Sequence, residues 1–215
     1  MSAPAKPMLG NVIPQARIHG GAGIMMTPHD VTVVIVPGLR DHVAEHWQTL
    51  LAERLPRSRT VPPLETDKLS RAARVNALQS VVAAVEGPIV FVAHSAGVMI
   101  TIHWAAEHGS NRAIHGALLA APADLELPMP PAYPALDALR AGGWLPLPRA
   151  QLPFRSIVAA SSNDPLGEAS RIAGFARDWG SKLVDLGEVG HLNPASGYGD
   201  WPEATHHIHS LLTEG

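Results

Sequence analysis

Three residues in this chain combine a reactive side chain with a position directly after an apolar run: Ser95 in FVAHSAGV, Asp164 in ASSNDPLG and His191 in DLGEVGHLNPASGYGDWP. A serine hydroxyl is a weak nucleophile until a base takes its proton and nearby donors stabilise the oxyanion it creates. Ile89, Val90, Phe91 and Val92 lead into Ser95, and Ala96, Gly97 and a helix-like segment follow it. A sharp strand-to-helix turn there lifts the hydroxyl clear and aims the next backbone N–H at a reacting carbonyl. The motif reads A-H-S-A-G where G-x-S-x-G is usual. Gly97 meets one of the two small-residue requirements, and Ala93 adds a single methyl at the other. The motif taken alone is equally compatible with a structural turn.

The base must be one of twelve histidines. His191 is selected because it follows the last apolar run, with Gly187 and Gly190 before it and a turn-rich loop after it. His94 is expected to pack beside the serine, and His206, His207 and His209 to form a solvated face of the terminal helix. The third group should be a carboxylate that fixes the histidine's tautomer and steadies its charged form. Asp164 follows the SIVAA run and precedes Pro165; Asp124, after GALLAA, competes with it. The oxyanion donors expected are the backbone N–H of Ala96 and that of Leu39 in VPGLRD, with Arg40 a weaker candidate. His42 and His46 are four apart, as metal-binding pairs are. The segment HVAEH lacks the glutamate that zinc proteases place after the first histidine, and no third ligand is evident, so neither metal nor cofactor is expected.

These residues need a scaffold that brings loops from different strands to one edge. VTVVIV, IVFVA, GALLAA, SIVAA and KLVDL read as buried strands, with a weak one at Thr60 to Val61, and helical patterns separate them. Unbroken apolar strands alternating with helices imply a mostly parallel sheet of about six strands covered on both faces. Ligands of such sheets bind beyond the carboxyl ends of the strands. Helices are expected over residues 42–55 and 67–85, over the segment that follows Ser95 and ends near Glu107, and over 167–179 and 202–212. The proline-dense stretch 128–153 reads either as a small lid, with Trp144 a wall of the substrate pocket, or as a surface connection with its tryptophan tucked into the core.

With 46% hydrophobic and 16% charged residues, a formal net charge of −3 and no cysteine, the composition is that of a globular chain without disulfides or a thiol nucleophile. No basic cluster suggests nucleic acid, and no apolar run is long enough for a membrane span. Residues 1–29 read as a flexible leader and 30–215 as a single α/β domain, cytoplasmic by default.

PGLRDHVAEHWQ, VAHSAGV, GALLAAPAD, ASSNDP and GHLNPASGYGDWPE, in that order, resemble the small serine hydrolases related to retinoblastoma-binding protein nine. The resemblance spans roughly Val31 to Leu212. It implies a compact α/β-hydrolase fold and a Ser95–Asp164–His191 triad, in the chain order those hydrolases use. The leucine-x-cysteine-x-glutamate motif of the animal member cannot occur in a chain without cysteine, so retinoblastoma binding is not carried over. The expected activity is cleavage of small acyl esters or amides, short chains preferred, through an acyl-enzyme; the competing reading is a hydrolase fold kept as a silent binding module.

Overall fold

The computed structural model describes residues 26–27, 29–41 and 43–213. The expected leader lies almost wholly outside the described residues. Strands β1 (Thr32–Val36), β2 (Ser58–Thr60), β3 (Ile89–His94), β4 (Gly116–Ala120), β5 (Ser156–Ala160) and β6 (Lys182–Asp185) form one sheet in the order β2-β1-β3-β4-β5-β6, every pair parallel. The helices are α1 (Trp47–Arg54), α2 (Arg71–Ala83), α3 (Ala96–His108), α4 (Leu136–Ala141), α5 (Ala169–Trp179) and α6 (Glu203–Thr213).

The two-residue period of the strands divides the core into two layers. Val34, Phe91, Ala117 and Val158 turn toward residues of α2, α3 and α5, such as Leu78, Trp104 and Phe175. Val33, Val90, Leu118 and Ile157 turn the other way, against Trp47 and Leu51 of α1 and Ile208 and Leu211 of α6. Every position of β3 is buried, as its uninterrupted apolar run requires. The chain first runs outward from β1 to β2, then returns past β1 to β3 and onward to β6. The reversal lies between β1 and β3, and the loops leaving those two strands carry Gly38–Asp41 and Ser95. Such switch points are where open α/β sheets form a crevice.

Several local outcomes differ from expectation for identifiable reasons. The first helix starts only at Trp47, because His46 caps it: its Nδ1 accepts the Gln48 backbone N–H at 3.2 Å. Likewise α2 starts at Arg71, since the Ser70 hydroxyl accepts from Ala73 N at 3.2 Å. β2 lies at Ser58–Thr60 rather than Thr60–Val61. Trp144 needs the largest correction. It is fully buried, its indole N–H donates to Leu69 O at 2.7 Å, and its own carbonyl accepts from His103 Nε2 at 3.0 Å. A buried indole needs an acceptor for its N–H, and the one it finds is Leu69 O, just before α2. Trp144 joins the core and is not among the residues lining the cavity over Ser95. The stretch 128–153 thus divides: Met129, Ala132, Tyr133 and Pro134 reach the site, while Leu139, Trp144, Leu147 and Leu152 join the core.

Candidate active site

Ser95 stands between β3 and α3 with φ 60° and ψ −129°, a region nearly closed to residues with a side chain. Such a conformation costs on the order of 1–3 kcal/mol and persists only where surrounding structure imposes it. Here the Ser95 N–H is held by Ala120 O at 3.1 Å, and its carbonyl accepts from Val98 N at 3.0 Å. Gly97 is required for close approach: a Cβ there would lie 2.1 Å from Val36 O. The extra methyl of Ala93 is absorbed without an opening, fully buried at the end of β3 beside Val36 and Leu119.

His191 Nε2 lies 2.8 Å from Ser95 Oγ, and its Nδ1 lies 3.0 and 2.8 Å from the two carboxylate oxygens of Asp164. An ionised carboxylate only accepts, so Nδ1 carries the proton and Nε2 is left to accept from the serine hydroxyl. Asp164 is held by Leu166 N–H, which donates to Oδ1 at 2.8 Å. Its side chain and that of His191 are 3% and 5% exposed.

The loop bearing His191 is fastened by groups that sequence reasoning passed over. Asn163 Oδ1 accepts from Gly190 N at 2.6 Å, Ser161 Oγ from Val189 N at 3.3 Å, and Ser196 Oγ from His191 N at 3.0 Å. Gly190 has φ 57°, and a Cβ on it would meet Ser196 Oγ at 2.6 Å, so this fastening demands glycine. His94 completes it from below by donating Nε2–H to His191 O at 2.9 Å. The ASSND and GHLNPAS stretches are therefore two halves of one clasp; their richness in small polar residues was the signal available in the sequence.

His46, His94 and His191 form a row, with ring centroids 4.6 and 4.9 Å apart. Burial, with the nearby charge of His191 adding to it, lowers the pKa of His46 to about 4. Burial, then His191 and His46, pushes His94 well below the ordinary histidine value. The metal pair weighed above cannot be followed, because His42 lies outside the described residues; His46 is engaged as a helix cap. Among the described residues no group of three metal-ligating side chains gathers.

Opposite the histidine, a Cβ on Gly38 would sit 3.2 Å from Ser95 Cβ, so the loop after β1 lies directly against the serine. Arg74 of α2, 5% exposed, secures that loop. It donates to Asp41 Oδ1 at 2.8 Å, to Leu39 O at 3.4 Å and to Lys68 O at 2.8 Å. Asp41 itself has φ 56°. No motif marked Arg74; its distance in sequence from the loop hid it. Ala96 opens α3 as its first residue, where backbone N–H groups have no partner within the helix. Arg40 stands at the pocket mouth with its guanidinium 5.2 Å from the Tyr133 ring centre.

Asp124 is not part of this constellation. Arg171 of α5 grips its carboxylate, and Glu126 shares the arginine at 2.9 Å. That grip holds the Arg171 pKa above its ordinary value. His206 and His209 are exposed on α6, as expected, while His207 is half-buried near Trp201.

A family model described as serine hydrolase matches residues 33–210. The chain belongs to the serine hydrolase family. No curated protein matches it. Among solved structures, this serine hydrolase is similar to a YdeN-like hydrolase from Pectobacterium atrosepticum, with 27% identity, 85% of this chain and 90% of the other covered, and a TM-score of 0.67. It is similar also to the ydeN gene product of B. subtilis, at 18% identity over 84% and 97% of the two chains with a TM-score of 0.66. The RedJ thioesterase of the prodiginine biosynthetic pathway in Streptomyces coelicolor is 14% identical over 86% and 92%, with a TM-score of 0.58; at that distance the likeness is one of fold. No helix among the described residues is long and apolar enough to cross a membrane.

Proposed function

We propose that this serine hydrolase cleaves acyl esters through a Ser95–His191–Asp164 triad and an acyl-enzyme intermediate. The observation that carries the reading is the continuous line of hydrogen bonds from Ser95 Oγ through both nitrogens of His191 to Asp164. His191 Nε2 takes the hydroxyl proton as Ser95 Oγ bonds to the ester carbonyl carbon. The carbonyl electron pair moves onto its oxygen, where the N–H groups of Leu39 and Ala96 hold it. As the C–O bond to the alcohol breaks, His191 passes its proton to the departing oxygen. Water then enters, gives a proton to His191 and bonds to the acyl carbon; as the bond from that carbon to Ser95 Oγ breaks, the carboxylic acid leaves and His191 returns the proton to the serine oxygen. Asp164 keeps the imidazole in the required tautomer and faces its transient charge.

The cavity over Ser95 has a volume of about 340 Å³. Since His191 must protonate the leaving oxygen, the alcohol lies on the side of the rim that follows it, at Asn193 to Ala195. The acyl group then takes the apolar wall of Leu125, Met129, Tyr133 and Leu166. A fluorophosphonate tests the reading: intact mass should show one covalent adduct on the native protein and none on Ser95→Ala. The same substitution should lower kcat toward an activated ester by about 10⁴-fold or more. A folded native protein that takes up no reagent and turns over no ester would sink the reading and favour a silent binding module.

A further inference from the structure

The proposed acyl wall is not the end of the depression in which it stands. Beyond Met129 and Leu166 a second, more open cavity continues across the loops after β4 and β5, and those two residues line both. Leu127, Pro128 and Pro165 are on its far side. Leu127 is 43% exposed, and it and Leu183 are the two large hydrophobic residues so exposed among the described residues. Single exposed leucines are ordinary. This one, however, opens on a groove that shares Met129 and Leu166 with the cavity above Ser95. The partition is one half-buried methionine, an unbranched side chain that shifts at small cost, beside a leucine. Trp144, the residue whose bulk would have supported a short-chain limit, is absent from both cavities.

Resting on the ester-hydrolase reading, we infer that the second cavity is a distal acyl subsite, so that the substrate class is esters of medium-length aliphatic acids, with Met129 the divider over which the chain passes and Leu127 the surface that receives its end. Of the three carboxylates lining the groove, Asp164 is turned to His191 and Asp124 is gripped by Arg171, while Glu168, exposed and accepting from Ser170 Oγ, is the one that keeps a charged edge on it. Desolvating Leu127 and the methylenes laid on it supplies the selectivity.

The test is the ratio of kcat/KM for p-nitrophenyl octanoate to that for the acetate, measured in the native protein and in three variants checked for equal thermal unfolding. The native value should rise from butyrate to octanoate. Leu127→Asn should lower the ratio about five- to tenfold, the worth of one leucine's contact with a chain. Met129→Trp should lower it further by filling the divide. Leu183→Asn, on β6 and outside both cavities, should leave it unchanged. A kcat/KM that falls steadily from acetate onward, or a ratio identical in the native protein, Leu127→Asn and Met129→Trp, overturns the subsite. Fluorophosphonate labelling separates the two failures: with Ser95 labelled, a flat ratio removes only the subsite, whereas absence of labelling removes the hydrolase reading beneath it.

Discussion

Asp124 and Asp164 occupy equivalent places on neighbouring strands. Each stands four residues past its strand's end, at Ala120 and Ala160. Each side chain is 3% exposed, and each Oδ1 accepts the backbone N–H two residues on, from Glu126 at 3.0 Å and Leu166 at 2.8 Å. Their partners differ. Asp164 faces the imidazole of His191, which a loop brings back over β5, whereas the open side of Asp124 is filled by Arg171 of α5. Burial and turn geometry are thus common to both; what a carboxylate does is set by the cation that packing delivers to it. An arginine stays charged throughout, so Asp124 is an anchor. An imidazole can both give up and take a proton, as a guanidinium does not, so the pair with Asp164 is the one suited to proton transfer.

The sharpest way to break this comparison is to neutralise each aspartate. Asp164→Asn should lower kcat by about 10³- to 10⁴-fold by favouring the wrong tautomer of His191, with folding retained. Asp124→Asn should leave kcat near the native value while costing roughly 2 kcal/mol of stability, because Arg171 loses its buried partner. Steady-state kinetics and denaturant unfolding read both, and a collapse of kcat in Asp124→Asn alongside an active Asp164→Asn would exchange the two roles.

A smaller effect is expected at the other ion pair near the site. Arg74 holds the Leu39 loop as Arg171 holds the Asp124 turn, but its loop carries a proposed oxyanion donor. Arg74→Met should therefore lower kcat between about ten- and a hundredfold with little change in KM, with partial recovery in Arg74→Lys. Equal loss in both kcat and KM, or none, would make Arg74 a structural tie like Arg171.

The smallest effect separates the buried histidines from the carboxylates. His46 is held at about 4 against an ordinary 6.5, so between those values the unfolded chain binds a proton that the folded one does not. Stability then rises with pH, and it is lost as pH falls through this window. Replacing His46 by Asn, which can still cap α1, should remove roughly 1–2 kcal/mol of the stability difference between neutral pH and about pH 5. Identical pH profiles for the two proteins, followed by denaturant midpoints, would show that His46 takes no part.

Much of this was legible in the sequence. Five of the six strands appear as short apolar runs, β1, β3, β4 and β5 because each is buried on both faces, while KLVDL, read as buried, is the largely exposed edge strand β6. Ser95, Asp164 and His191 could be placed at one sheet edge from their positions after three of those runs. The hydrogen bonds joining them could not be read, nor could the clasp of Asn163 and Ser196, since small polar residues in a turn-rich loop satisfy local backbone as often as distant loops. Which of its two readings Trp144 follows was hidden for a related reason. A tryptophan in a proline-rich stretch serves a pocket or a core equally well until an acceptor for its N–H is found, and Leu69 lies 75 residues away.

The sequence by itself determined the α/β alternation, the parallel sheet and the loops that carry the reactive side chains. Those follow from periodicity and backbone preference acting over a few residues, which neighbouring positions are enough to specify. Only the tertiary structure decided that His191 meets Asp164 while Arg171 meets Asp124, that Arg74 braces the loop after β1, and that Met129 lines both the cavity over Ser95 and the groove beside it. Each of these depends on which helix packs on which face and in what register, so the partners lie 27 to 47 residues apart or more. Over that span the chain's local pattern carries no record of the contact, because the energy that selects it comes from the close packing of the whole core.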